Sequence, residues 1–207
     1  MKWHLIMTLV KADNFISDGF TGEITFRKWL DEQDIGYLYI SQEQYYYAKA
    51  FKGNTKRPDF LMSLPSLGFI SVDVKHHSIQ QYDGEDCFTL NIRNEVEKAV
   101  NFEDVSNLPL WYAYFPKNSE ERNRPSCWYF ISARKALSEG VVRTKTNDPY
   151  LSIELEHFTC VEESQDLSPL LDFKFKNKLC LKDLAIKIHE ELKISKQESI
   201  HNKEYSC

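Results

Sequence analysis

Two short stretches, Pro58-Asp59 and Asp73-Val74-Lys75, hold two carboxylates and an ammonium at a spacing that a β-hairpin folds together. Pro65 and Gly68 punctuate a turn between them. A hairpin centred near Ser66 sets Asp59 opposite Asp73, to within one residue of register. Cross-strand neighbours have Cβ atoms only ~5 Å apart, and like charges there are destabilising. A divalent cation offsets that repulsion directly, because Mg²⁺ takes hard oxygen ligands. Lys75 lies two residues beyond Asp73, so its side chain emerges on the same face and reaches toward whatever the metal holds.

Glu23 supplies a third carboxylate, in the first turn of the first predicted helix, where it also complements the positive end of the helix dipole. The Val74 carbonyl is a further candidate ligand. Lys49, Lys52, Lys56 and Arg57 run into Asp59 as a cluster of cations and are candidates for contact with phosphates.

The elements that must position these groups are legible in the periodicity. Residues 21–33 carry Phe26, Trp29 and Leu30 as an apolar stripe at helical spacing, with Asp18 or Thr21 as the cap and Gly36 as the stop. Residues 37–40 read as a strand, and 42–51 as a short helix behind the capping pattern that starts at Ser41. Residues 58–63 and 69–75 are the hairpin strands. In the second, Ile70, Val72 and Val74 alternate cleanly with Ser71, Asp73 and Lys75. Helical patterning resumes over 91–105. Aromatic strands are expected at 108–115 and 127–132, a short helix at 134–139 closed by Gly140, and one or two strands over 150–161. A last helix spans 181–192. This mixture predicts an α/β or α+β chain around one central sheet, with a single domain over 1–194 and a polar, frayed tail over 195–207.

Composition narrows the partners. The 207 residues are 42% hydrophobic and 28% charged, enough apolar material for a real core. The net charge of −5 excludes a histone-like basic binder, so contact with nucleic acid requires a local patch or metal ions. Five cysteines, odd in number and without a CxxC clip, argue against a disulfide framework or a zinc knuckle. They point instead to a reducing, cytoplasmic setting. No apolar run is long enough to span a bilayer, and the first nine residues are too short for a signal peptide. His4, His157, His189 and His201 form no spacing that reads as zinc.

Over residues 21–115 this pattern resembles the PD-(D/E)xK nuclease superfamily. The matching positions are Glu23 on a helix, Pro58-Asp59 on one strand, and Asp73-Val74-Lys75 on the next, followed by a second helix and a further strand. The resemblance implies a restriction-endonuclease-like α/β core, a central mixed sheet flanked by helices, with extra C-terminal strands and a helix. It implies that Glu23, Asp59 and Asp73 bind Mg²⁺ or Mn²⁺ and that Lys75 orients the attacking water. The expected activity is endonucleolytic hydrolysis of phosphodiesters in nucleic acid, with DNA the favoured substrate. A Gln or Tyr near the second helix occurs in some members, and Gln80, Gln81 and Tyr82 are the candidates here.

Two other readings stand beside this one. The chain could be a catalytically inactive member of the same fold that binds nucleic acid or protein. It could also be an acidic protein-interaction module, which its net charge suits. Convergence of the Glu23, Asp59 and Asp73 carboxylates is the structural discriminator.

Overall fold

The computed structural model describes residues 18–41, 54–64, 68–119, 127–145, 148–167, 170 and 188–190. The helix over 42–51 and the tail over 195–207 lie outside these residues. Of the last predicted helix only 188–190 are described, and they are helical.

Helix α1 (Asp18–Glu32) buries Phe26, Trp29 and Leu30, the predicted stripe. It closes where Asp34 takes a left-handed φ of 55° and the Ile35 N–H returns to the Leu30 carbonyl at 3.0 Å. Strand β1 (Tyr37–Tyr39) then pairs antiparallel with β2 (Phe60–Leu64), which pairs antiparallel with β3 (Gly68–Lys75). Phe60 faces Val72 and Leu64 faces Gly68, the antiparallel register that the spacing predicts.

Strand β3 also pairs in parallel with β6 (Leu110–Tyr114). Parallel neighbours require a crossover. Residues 76–109 supply it, with β4 (Gln80–Tyr82), β5 (Glu85–Asn91), a π-helical turn (Ile92–Val96) and α2 (Glu97–Ser106). Antiparallel β7 (Trp128–Ser132) follows, then α3 (Ala133–Glu139), β8 (Val141–Lys145), β9 (Asp148–Glu154) and β10 (Thr159–Val161). The central sheet is six-stranded and mixed, in the order β1-β2-β3-β6-β7-β10.

Alternation divides the core in two. Ile70, Val72, Val74, Trp111, Ala113 and Phe130 pack with α1 on one face of the sheet. Leu110, Tyr112, Tyr114, Tyr129 and Ile131 pack on the other, with α2, α3 and a second sheet. This is a mixed α/β fold whose central sheet is flanked by helices. Among the described residues no helix is long and apolar enough to cross a membrane.

Two expectations are corrected. The chain builds a second, four-stranded sheet in the order β4-β5-β9-β8, where one sheet was expected. Its first hairpin turns at Asp83-Gly84, both with positive φ (53° and 94°), the conformation two-residue hairpins favour. Gln80, Gln81 and Tyr82 therefore sit on β4. The second correction concerns cysteine. Cys127 and Cys160 form a disulfide with Cα atoms 5.8 Å apart. Pairing of β10 with β7 sets Cys160 opposite Tyr129 and brings together two residues that sequence spacing keeps 33 apart. Cys87 is free and buried.

The far end of the chain holds α1 in place. The Trp29 indole N–H donates to the Glu162 carbonyl at 2.9 Å, and the Ser164 N–H donates to the Gln33 side chain at 2.8 Å. Phe26 is the centre of this seat, fully buried with its ring against Trp29, Phe60, Trp128 and Phe130. Phe26→Ala is expected to cost about 3–5 kcal/mol in urea unfolding, the range for emptying a buried aromatic site. A loss below about 1 kcal/mol would show that α1 is not seated on the sheet through this residue.

Candidate active site

The pairing of β2 with β3 explains where the two aspartates meet. Strand β2 ends at Phe60, opposite Val72, so one further step sets Asp59 opposite Asp73. Both are buried, at 8% and 3% exposure. The Asp59 N–H donates to the Val72 carbonyl at 2.9 Å, and Asp59 Oδ2 accepts from the Val74 N–H at 2.7 Å. The Asp59 side chain thus takes the place of a ladder partner where β2 stops. The Ser71 N–H donates to Pro109 and the Lys75 carbonyl accepts from Phe115, so residues 71 and 75 address β6. By strand parity Val72 and Val74 address β2. The Val74 carbonyl therefore faces the same gap as the Asp59 carboxylate.

Ser71, Asp73 and Lys75 project from the other face of β3, away from the α1 core. There Lys75 Nζ lies 2.7 Å from Asp73 Oδ2 and 2.8 Å from Glu95 Oε2. Lys56 Nζ lies 3.0 Å from Asp73 Oδ1 and 2.6 Å from the same Glu95 oxygen. The result is a closed ring of alternating charges: Asp73, Lys75, Glu95, Lys56. Glu95 comes from the π-helical turn that opens the second helix, a distortion frequent at functional sites. Sequence reading missed Glu95 because its partners lie 20 and 39 residues away. Its position on the predicted second helix was the available signal.

The electrostatics separate the two aspartates. Burial raises the Asp59 carboxyl, the nearby Asp73 charge raises it further, and the value reaches about 8. Burial pushes Asp73 the same way, but the Lys75 and Lys56 ammoniums hold it below the usual carboxylate range. Burial works against the Lys75 charge, yet Asp73 and Glu95 raise its pKa, so it stays an ammonium.

Glu23 is placed differently from expectation. The helix starts at Asp18, a turn earlier than the pattern predicts, so Glu23 lies in the second turn and not at the dipole's end. Its Oε2 accepts from the Tyr39 hydroxyl at 2.8 Å. Gly22 lets the helix approach the end of β3: a Cβ there would lie 3.0 Å from the His76 Cβ. The Glu23 charge is near enough to raise Asp59. Glu23, Asp59 and Asp73 do not, however, form a trio with ligand atoms within 4.8 Å of each other. Among the described residues Glu154, Glu156 and His157 do so, on and beside β9. Two of these three are only half-buried and the third is exposed, so water meets their charge.

Of the predicted phosphate contacts, Lys56 is committed to Asp73 and Glu95, and Arg57 is half-buried beside it. Lys49 and Lys52 lie outside the described residues. The donor set at the end of β2 suits a hard cation: two carboxylates and a backbone carbonyl, all oxygen. Asp59 and Asp73, with Val74, are the residues that would hold it, and Glu23 is adjacent.

No family model and no curated protein matches the chain. Among solved structures it is similar to Hjc, a Holliday junction resolvase from the archaeal hyperthermophile Archaeoglobus fulgidus. That likeness has 13% identity, a TM-score of 0.43, and covers 68% of this chain and 91% of that one. It is also similar to D212, a nuclease from a fusselovirus, at 15% identity and a TM-score of 0.40, over 72% and 83% of the respective chains. Overlaps of this size assign no activity. Within the described residues, the order of helix, hairpin, second helix and parallel strand is the one the PD-(D/E)xK resemblance implies.

The raised Asp59 pKa has a signed consequence for the metal-free protein. A carboxyl whose folded pKa exceeds its unfolded value contributes stability fully below pH ~4, lost as pH climbs through about 8. From pH 5 to 9 in chelator, wild type should lose stability relative to Asp59→Asn, by at most ~1.4 kcal/mol per pH unit. Urea midpoints across pH measure this, and parallel curves for the two proteins would mean that Asp59 ionises normally.

Proposed function

We propose that the chain is a divalent-metal-dependent nuclease that hydrolyses phosphodiesters, with DNA as the substrate and endonucleolytic cleavage as the mode. One observation carries the reading: two buried aspartates on neighbouring strands meet at the end of β2, with the Lys75 ammonium 2.7 Å from Asp73. Asp59, Asp73 and the Val74 carbonyl hold Mg²⁺ or Mn²⁺ in this proposal, with Glu23 alongside. The cation supplies Lewis-acid polarisation of the phosphate.

The chain's own groups do the rest. Lys75 is held charged by Asp73 and Glu95, so it acts as a donor and not as a proton acceptor. It orients the attacking water by hydrogen bonding and stabilises charge that develops on the phosphate oxygens. Burial of Asp73 keeps water away from its ion pairs and strengthens them. Residues 1–194 form one domain in this proposal, and Lys49, Lys52 and Arg57 line the approach of the nucleic-acid backbone.

A second reading, a binding module of the same fold without catalysis, is favoured by one feature. Glu23 is tied to Tyr39 and stands outside a common ligand trio with the two aspartates. Cleavage of labelled single-stranded, double-stranded and branched DNA in Mn²⁺ separates the two. The nuclease reading expects cleavage by wild type, a loss of about 100-fold or more in Asp73→Asn, and a similar loss in Lys75→Ala. Lys75→Ala should still gain thermal stability from Mn²⁺, and Asp73→Asn should gain less. An Asp73→Asn protein that cleaves at the wild-type rate ends the nuclease reading at this site. Binding of DNA without cleavage selects the second.

A further inference from the structure

We propose that Lys56 is a built-in counter-ion of the candidate metal site, holding Asp73 until a divalent cation takes that carboxylate and then remaining on Glu95. The inference rests on the metal-site reading above and adds a role for two residues outside the PD-(D/E)xK motif.

The need for a counter-ion comes from burial. Asp73 is 3% exposed, and an ionised carboxylate in that setting is costly unless paired. Lys75 satisfies one oxygen and Lys56 the other. The two lysines are not equivalent. Lys75 stands on the same strand face as Asp73, two residues away, and its contacts to Asp73 and Glu95 are nearly equal at 2.7 and 2.8 Å. Lys56 enters from outside the sheet, anchored by its own N–H to the Lys98 carbonyl at 2.8 Å. Its contact to Glu95 is 2.6 Å and its contact to Asp73 is 3.0 Å. The Asp73 leg is the longer of the two, so it is the one that yields.

Charge gives the direction of the exchange. Asp73 and Glu95 face two ammoniums, so the ring is balanced, two charges against two. A dication entering beside both lysines adds positive charge and repels the cation nearest to its ligands. Glu95 offers Lys56 a second carboxylate, with a side chain 21% exposed against 4% for Asp73, nearer to solvent. Moving the ammonium onto Glu95 frees an Asp73 oxygen without stranding a buried charge.

Opposite effects of the two partners test this. Mn²⁺ binding to the full chain is measured by calorimetry, independently of cleavage. Lys56→Met should bind Mn²⁺ about tenfold more tightly than wild type, since no resident cation competes. Lys56→Gln serves as the polar variant should Lys56→Met fold poorly, with the same direction expected. In chelator both should melt below wild type, because Asp73 loses a partner. Glu95→Gln should bind Mn²⁺ about threefold or more weakly, and that loss should shrink in the Lys56→Met background, which removes the part Glu95 exerts through Lys56. Unchanged or weaker Mn²⁺ binding in both Lys56 variants, with Asp73→Asn still removing it, overturns this inference and leaves the metal site standing. If Asp73→Asn leaves Mn²⁺ binding intact, or if no variant binds, the metal-site reading falls and this inference with it.

Discussion

A carboxylate buried in the middle of a sheet sets the terms for everything around it. Asp73 lies within β3, beside β6 and opposite Asp59 just outside β2, where burial keeps water from solvating its charge. The fold meets that demand with two ammoniums drawn from different parts of the chain. Those ammoniums in turn require Glu95, so one buried charge propagates into a ring of four. Asp59, buried and facing the same charge, is driven toward its neutral form. Two like residues on adjacent strands are thereby given different protonation states by their surroundings alone.

The scaffold separates apolar support from the charged cluster. One face of the central sheet is apolar and seats α1 through stacked and edge-on aromatic rings. The opposite face of β3 carries Ser71, Asp73 and Lys75 toward the crossover that brings in Glu95. The parallel pairing of β3 with β6 requires a crossover, and this one carries β4, β5 and the π-helical turn. A similar economy appears at Glu103. It is buried in α2, accepts from the Leu110 N–H at 2.8 Å and pairs with Arg134 at 2.7 Å, so it ties the start of β6 to two helices.

Local pattern was readable where local physics decides. The alternation of β3, the register of the hairpin and the buried stripe of α1 all follow from period and turn residues. Asp59, Asp73 and Lys75 could be grouped because a hairpin is a local object. What depended on long-range packing was not readable. The Glu95 bridge, the Cys127–Cys160 pair and the commitment of Lys56 to Asp73 join residues that no short window contains. The second sheet falls between these cases: its Asp83-Gly84 turn is a local signal, but β8 and β9 close the sheet only through distant pairing. Glu23 was located on its helix, while its partner, Tyr39, depends on how that helix lies against β1.

The clamp on α1 gives the molecule an order in time. A ribosome delivers Glu23, Asp59, Asp73, Lys75 and Glu95 within the first half of the chain. The carbonyl of Glu162 and the N–H of Ser164, which grip Trp29 and Gln33, emerge only much later, together with the strand that carries Val161 into the same core. A nascent chain therefore holds every candidate site residue before it holds the seat for the helix that carries Glu23. Assembly of that corner is a late event of synthesis, and a chain stopped short of residue 162 carries the candidate site residues without the grip on the helix of Glu23.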